Sequence, residues 1–484
     1  MLRRIAEPTS RVILIGLGIL FALSACSSTP ELPKGMVGRV GKYDYSPSII
    51  ETGNVRQVWW CGLDRNPADS SQVSDAILYE SIDVSSGQAT SPVTVLAETP
   101  GTWDSLYVCN PKVIGGIFRN PLGNGVTYKY ALYYVGINKT SNNNIGVAFS
   151  QDGIRWEKYP DPVILAASPS GYGVGQPAPY NSDRQSAITL FYEDSYPTTH
   201  HLKASSSDGV HFTMDGAITQ SGLDPGCPGD WGDIAFDSKT GYWYALFNRA
   251  LRDPATTGGV AERGQLGVEM YRIPSGSLLS GDVPWELVTT VDTNVTGFES
   301  NFIGGLVHDS YGNLNIGSYP TIKMYVSVSD PQPGWDASPK DAGASAEPPT
   351  WDIAPAEWIP NRGPLALTRY TNAGTDVVTI GWVSPSAKFQ KQQTVGHLFA
   401  SPQAGATIRL FACVRGKMDY FVSLDGACEG ERIVGTNGFL YSHPDAQQKL
   451  VPLYRCATSR SHFVSQDPRC DGQQNDGLMG YALP

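Results

Sequence analysis

The chain has 484 residues, room for two or three domains. Charged residues make up only 17%, while Gly (52) and Pro (35) are plentiful and aromatics reach 10%. This is a turn-rich β composition with little sign of long helices. The net charge of −11 argues against nucleic acid or an anionic membrane surface as partner and suits a neutral or cationic ligand.

The N-terminus reads as a targeting segment. Arg3, Arg4 and Arg11 precede an apolar run, Val12–Ala25, that is short for a spanning helix and ends in small residues. The end of that run, Leu23-Ser24-Ala25-Cys26, resembles the lipobox of bacterial lipoproteins. The resemblance implies a signal over residues 1–25, with Cys26 the lipidated first residue of the mature chain. Residues 26–37, with Ser27-Ser28-Thr29-Pro30, read as a tether. The expectation is an exported protein of the bacterial cell envelope that meets the membrane only through its lipid anchor.

A module then recurs about every 64 residues, starting at Ser46, Asn110, Gln176, Asp233 and Glu299. Each copy is an apolar strand, a Gly/Asn/Asp turn and an aromatic-rich strand, as in SPSIIETGNVRQVWWCG and NPKVIGG…ALYYVG. Such a unit cannot bury both faces alone, so the copies are expected to stand side by side as propeller blades over residues 38–402. SQDGIRW and SSDGVHF predict outer hairpins in which Asp152 and Asp208 form the turns. Residues 329–350 are Pro/Ala/Ser-rich and read as a surface insertion. A weaker copy near 363–400 could be a sixth blade or the strands that close a ring of five.

Residues 403–484 predict a separate module of two copies, LFAC…YFVS…CEG…GFLY and LYRC…HFVS…CDG…GLMGY. Cysteines at matching places predict the bridges Cys413–Cys428 and Cys456–Cys470. This segment resembles the HF(Y/V)(T/S) repeat of secreted bacterial proteins, and the resemblance implies contact with a cell wall or glycan. Cys61 closes the second strand of the first module and Cys109 opens the next. Neighbouring blades would bring them together, leaving Cys227 over. The fold class is therefore all-β: a five-bladed propeller plus a small disulfide-bonded β-rich C-terminal module.

In a four-stranded blade, the loops before strand one and after strand two share one face of the disc. That face should carry Asp44, Ser46, Asn110, Gln176, Asp233 and Glu299 from strand starts, and Glu193, Asp194, Asn248 and Arg249 from the ends of second strands. Trp103, Asp104, Tyr107, Tyr172 and Trp231 enter from the loops. Flat aromatics beside carboxylates and amides suit a sugar, whose C–H faces stack and whose hydroxyls need donors and acceptors. The x-Pro-Ser-Ile start and the YYVG-type second strand resemble the five-bladed glycosidases of the arabinanase/β-xylosidase and invertase/levansucrase superfamily.

The resemblance implies three acids at the first three blade starts, one acting as base or nucleophile, one tuning pKa and one protonating the leaving oxygen. Here those places hold Ser46, Asn110 and Gln176, none of which is an acid or base near neutral pH. Two readings stand. In one, a rearranged set makes a glycoside hydrolase: Asp44 is base or nucleophile, Glu193 or Glu299 the acid, and Asp233 the orienting group. In the other, the pocket binds carbohydrate without turnover through Ser46, Asn110, Gln176, Trp103, Trp231 and Arg249. No residue pattern calls for a metal ligand set or a required cofactor, though related propellers can hold a calcium ion on the central axis.

Overall fold

The computed structural model describes residues 35–484 except 66–72, 139–141, 169–170, 196–199, 224–230, 251–264, 299, 315–320, 330–350, 359–364, 373–375, 381–388, 400–401, 403–407, 416–418 and 445–447. Four modules each fold into a four-stranded antiparallel meander. Blade I is β1 (Asp44–Thr52), β2 (Val55–Arg65), β3 (Val73–Asp83) and β4 (Val93–Leu96). Blade II is β5 (Tyr107–Arg119), β6 (Thr127–Ile137), β7 (Asn144–Ser150) and β8 (Trp156–Lys158). Blade III is β9 (Val174–Asn181), β10 (Ile188–Asp194), β11 (His200–Ser206) and β12 (Thr213–Ala217). Blade IV is β13 (Trp231–Asp237), β14 (Tyr242–Ala250), β15 (Gln265–Pro274) and β16 (Glu286–Val291).

Blade V has three strands from its own module, β17 (Ser300–His308), β18 (Ile322–Ser329) and β19 (Asp352–Trp358). Its fourth place is taken from the other end of the chain. Val37 bridges Ile353 antiparallel, with its N–H 3.0 Å from the Ile353 carbonyl, and the Asp44 N–H reaches Trp351 O at 3.0 Å. The segment just before β1 thus fastens the last blade to the first.

Period-two alternation explains how the blades stick. Adjacent aromatic residues on a second strand point to opposite faces, so each strand feeds two cores. Trp59 packs between blades I and II, and Trp60 between V and I. Tyr133 serves the II–III core and Tyr134 the I–II core. Five apolar cores result, one at each junction: I–II, II–III, III–IV, IV–V and V–I. The last contains Val37, Ile49, Val307 and Ile353, which closes the ring at five blades. The Asp-Gly turns behave as expected. Asp152 accepts from the N–H groups of Ile154 and Arg155, and Asp208 from those of Val210 and His211. Each turn also ties blades together: Gly153 O accepts from Trp59 Nε1 at 2.9 Å, and Gly209 O from the Tyr133 hydroxyl at 2.7 Å.

The segment near 363–400 is neither a sixth blade nor the closure of the ring. It folds as β20 (Leu365–Asn372), β21 (Asp376–Ile380) and β22 (Gln390–Leu398), a sheet of its own in the order β21-β20-β22. The two C-terminal repeats follow as β23 (Ile408–Arg415), β24 (Asp419–Ser423) and β25 (Arg432–Leu440), then β26 (Val451–Ala457), β27 (His462–Ser465) and β28 (Gln474–Ala482), in the same order. Register and bulge position repeat as well: Leu365 pairs Leu398, Ile408 pairs Leu440, and Val451 pairs Ala482. One core holds Leu367, Leu410 and Leu453 at matching places.

The three sheets are linked head to tail. Phe399 bridges Phe439, Tyr441 bridges Tyr481, and Leu483 bridges His397, so the last residues close a second, three-membered ring. The change from blades to three-stranded units therefore falls between Trp358 and Leu365, ahead of the expected boundary at 402/403. The module docks on blade IV through an ion pair between Arg409 and the fully buried Glu269. The bridges Cys61–Cys109, Cys413–Cys428 and Cys456–Cys470 form as expected, while Cys227 lies outside the described residues.

Candidate functional site

The strand-start end of the ring is built from one repeated irregularity. Ser46, Asn110 and Gln176 each precede a proline at the start of an innermost strand, and each has a left-handed backbone, with φ of 53°, 49° and 49°. Proline has no N–H to give to the ladder, so it is tolerated where the register slips. The slips fall there: between Tyr45 and Ser48, between Cys109 and Lys112, and, opposite Gln176, between Phe191 and Glu193. Side chains replace the missing ladder bonds. Ser46 N–H donates to Ser327 Oγ at 3.0 Å, and Val113 N–H to Ser48 Oγ at 2.9 Å.

In blade V the same slip, between Phe302 and Gly304, puts Ile303 in the left-handed region with φ of 30°. In blade IV it lies between Trp231 and Asp233, at Gly232. Backbone in this region costs of order 1–3 kcal/mol per non-glycine residue, and such sites cluster where function needs them. All three polar side chains are buried. Ser46 Oγ and Gln176 Oε1 have no hydrogen-bond partner among the described residues, and Asn110 Nδ2 faces the Tyr172 hydroxyl at 3.5 Å.

The expected acids are placed differently. Asp44 is fully buried and held by Arg39: Oδ2 accepts from the backbone N–H and Oδ1 from Nη2, both at 2.6 Å. A carboxylate committed to a guanidinium in the closing segment is poorly suited to act as base or nucleophile. Asp233 is also buried. Its Oδ2 accepts from Leu306 N–H at 2.9 Å and lies 3.3 Å from Lys112 Nζ, while Oδ1 accepts from Ile234 N–H at 3.0 Å. It anchors inner strands instead of orienting a substrate. Lys112 and Asp233 belong to non-adjacent blades, so their pair spans the axis. Burial lowers the Lys112 pKa, and Nζ also donates to Pro47 O at 2.8 Å. An ammonium in that place does not fit an axial calcium ion.

Glu193 lies next to the end of β10, buried, with Oε2 3.9 Å from His201 Nε2. The His201 ring lies 5.0 Å from Trp231, and its Nδ1 meets the Gln220 amide at 2.9 Å. Trp231 is fully buried, donates to Gln176 O at 2.9 Å and packs on Phe191 and Phe247, so it supports the Gln176 bulge and offers no sugar platform. Trp103 stacks on Tyr134 at 5.8 Å, an edge cap for blade II. Asp104 beneath it is bound by Tyr134, Thr102 and Lys158. Glu299, the Arg249 side chain and Cys26 lie outside the described residues.

A second group of polar residues lies on this face and was not anticipated as a unit. Asp75, near the start of β3, accepts from the Tyr45 hydroxyl through Oδ2 at 3.1 Å, and its Oδ1 is enclosed without a partner among the described residues. Burial pushes its pKa up to about 6. Tyr107 faces Asp75 and donates to Asn143 Oδ1 at 2.7 Å; its own pKa is pushed up to about 12, first by burial and then by the Asp75 charge. Tyr43 packs edge-on against Tyr45 at 5.0 Å, and Tyr172 lies beyond it. The Cys61–Cys109 bridge fixes the floor, with Cys109 Sγ 2.9 Å from the Tyr45 hydroxyl. The blade rule could have found Asp75: a third strand starts on the face where the second one ends.

No protein-family model and no curated protein matches this sequence. Among solved structures, the chain is similar to the α-L-arabinofuranosidase PaAbf62A from Podospora anserina, solved with cellotriose: 13% identity, 66% of this chain and 92% of that one, TM-score 0.40. Zg3597, a family 117 glycoside hydrolase from the marine bacterium Zobellia galactanivorans, matches at 14% identity over 68% and 88%, with TM-score 0.43. A GH62 hydrolase solved with xylotriose matches at 11% identity over 68% and 94%, with TM-score 0.41. Scores this low carry no argument about activity, and the five-bladed fold rests on the sheets and cores described above.

Proposed function

We propose that this protein is an exported, lipid-anchored, carbohydrate-binding propeller whose strand-start face holds a glycan without the acid set of a hydrolase. One observation carries the reading. The three positions where the resembled glycosidases carry acids hold buried Ser46, Asn110 and Gln176, in strained bulges, and two of them have polar atoms without a partner among the described residues. A buried polar group without a partner costs about 1–3 kcal/mol, which a ligand hydroxyl would recover. Amides and hydroxyls give and accept hydrogen bonds with sugars but do not titrate near neutral pH. The leader residues up to Cys26 support export and anchoring, and the resemblance of the C-terminal repeats supports a cell-wall or glycan contact there.

The test is a glycan array followed by calorimetry on the full chain in detergent, with reducing-sugar assays on the same glycans. Binding without sugar release is expected, weakened about tenfold in Gln176→Ala and in Asn110→Ala. Absence of any glycan binding would overturn the proposal. The second reading, hydrolysis, is favoured by Glu193, a buried carboxylate next to the Gln176 strand. Sugar release that disappears in Glu193→Gln would select it.

A further inference from the structure

The group around Asp75 has a chemistry distinct from that of the amide and hydroxyl positions. Its carboxylate is the centre, and the groups facing it are Tyr45 on β1, Tyr107 on β5 and, next to Tyr45, Tyr43 and Tyr172. No described Lys, Arg or His forms an ion pair with it, and one of its oxygens is enclosed with no hydrogen-bond partner among the described residues. The residues themselves are not sealed off: Asp75, Tyr43, Tyr45 and Tyr107 are half-buried and Tyr172 is exposed. The cluster therefore opens on the same face as Asn110, which it touches through Tyr172.

An enclosed carboxylate oxygen with no described cation beside it is an incomplete arrangement, because desolvation penalises the charge and only the Tyr45 hydrogen bond to the other oxygen offsets it. Two complements exist. A proton neutralises it, and the raised pKa of Asp75 shows that tendency. An organic cation would do the same and add a second attraction, since the negative faces of tyrosine rings hold alkylammonium groups by cation–π interaction. A hydrated metal ion is disfavoured, because the other groups at hand are phenols and a disulfide, which are poor ligands for hard cations. A neutral hydroxyl would satisfy the oxygen but leave its charge uncompensated.

We propose that Asp75 and the tyrosines Tyr43, Tyr45, Tyr107 and Tyr172 form a subsite for an ammonium group, so that the glycan this face selects is one carrying amino sugars. The proposal rests on the glycan-binding reading above and names its substrate class. The acidic balance of the chain agrees, since a net charge of −11 draws cations toward it. Tyr45 is the hinge between the two halves of the site: its hydroxyl is bound to Asp75, and its strand continues into Ser46.

The test compares three probes on the full chain by calorimetry: a chito-oligosaccharide with N-acetyl groups, the same oligosaccharide with N-trimethylammonium groups, and choline. Permanent charges keep the probes from titrating, so any pH effect belongs to the protein. Above the Asp75 pKa, near pH 7.5, the cationic oligosaccharide should bind at least about tenfold more tightly than the acetylated one. That preference should fall to about threefold or less near pH 4.5, and equally in Asp75→Asn at either pH.

Tyr172→Ala, a change at an exposed residue, should reduce the preference with a melting transition like that of the native chain. It keeps the test alive if the Asp75 variant does not fold. Equal binding of the two oligosaccharides at both pH values overturns the ammonium subsite and leaves the glycan reading standing. Binding of choline alone supports the subsite and overturns the amino-sugar assignment. No binding by any probe overturns the subsite, and the glycan array decides the glycan reading separately.

Discussion

Lys112 Nζ lies 3.3 Å from Asp233 Oδ2, and the two side chains reach each other across the middle of the ring from blades that are not neighbours. Lys112 also holds Pro47 O of blade I, and Asp233 holds Leu306 N–H of blade V. One ion pair thus joins the inner strands of four blades where bulges, Pro-containing in blades I and II, have removed ladder bonds. Both charges are buried, so neither can be left alone cheaply. Asp233→Asn or Lys112→Met should destabilise the fold by about 3–5 kcal/mol, because each strands a buried charge. The double replacement Lys112→Met/Asp233→Asn should cost less than the sum of its parts. Denaturant unfolding of the four proteins checks this, and additive losses would mean that the pair is not coupled.

The pair Arg39–Asp44 has the same logic in a different place. It clamps the closing segment that lets Val37 complete blade V. Asp44→Asn should therefore lower the melting temperature and increase proteolysis at the N-terminal segment, while leaving glycan affinity within about twofold. A loss of sugar turnover with unchanged stability would return Asp44 to the catalytic role its sequence position suggested.

Much of this arrangement was legible in the sequence. The repeat period reflects a physical unit, since each blade must bury two faces, and the aromatic pairs Trp59-Trp60 and Tyr133-Tyr134 mark the strands that do so. The bridge Cys61–Cys109 followed from placing two modules side by side. The blade count was hidden because the fourth strand of blade V comes from residue 37, upstream of the first repeat. The pocket positions of blades IV and V were hidden for another reason. Polar identity drew attention to Asp233 and Glu299, yet the positions equivalent to Ser46 are Gly232 and Ile303, which are defined by backbone conformation and register slip. The third copy of the C-terminal unit was obscured because Tyr370 and Thr379 stand where its sisters carry Cys413 and Val422.

Glu80 makes the closure sensitive to pH. Its carboxyl is buried under the N-terminal segment, accepting from Gly38 N–H at 3.3 Å, and desolvation together with the Asp44 charge raises its pKa from 4.5 to about 7. A pKa raised on folding means that the folded state binds the proton more tightly. The associated stability is fully present below pH 4.5 and is lost as pH rises through 7. Asp75 adds a contribution of the same sign between 3.8 and about 6. Stability should therefore fall from mildly acidic to neutral pH. Glu80→Gln should flatten the upper part of that slope and gain about 1–2 kcal/mol near pH 8, allowing for partial solvent screening. Melts of both proteins across this range decide it, and parallel curves would remove Glu80 from the account.

The Cys61–Cys109 bridge closes a loop with a sequence separation of 48 between two blades and floors the Asp75 cluster. On the chain-entropy model a loop of that size contributes about 4 kcal/mol. The Cys61→Ser/Cys109→Ser variant should lose about that much stability and, because Tyr45 rests on the bridge, bind any ligand of the Asp75 cluster more weakly. Loss of stability with undiminished binding would show that the floor is rigid without the covalent link.

Leu367, Leu410 and Leu453 occupy equivalent buried positions in three sheets, only two of which carry a disulfide. If the three units form one closed ring, each leucine supports the same core, and Leu→Ala at any of them should cost about 2–5 kcal/mol of the same unfolding transition. Leu367→Ala is the informative case, since its segment precedes the repeated cysteine pattern and was expected to belong to the propeller. Hydrogen exchange should show that variant loosening β23 to β28 while blades I to III keep their protection. Exchange confined to β20–β22, or spreading into the blades, would break the three-membered ring. The head-to-tail bridges give the reason to expect otherwise: Leu483, just beyond β28, pairs with His397, so the last strand is held by the sheet that begins the module.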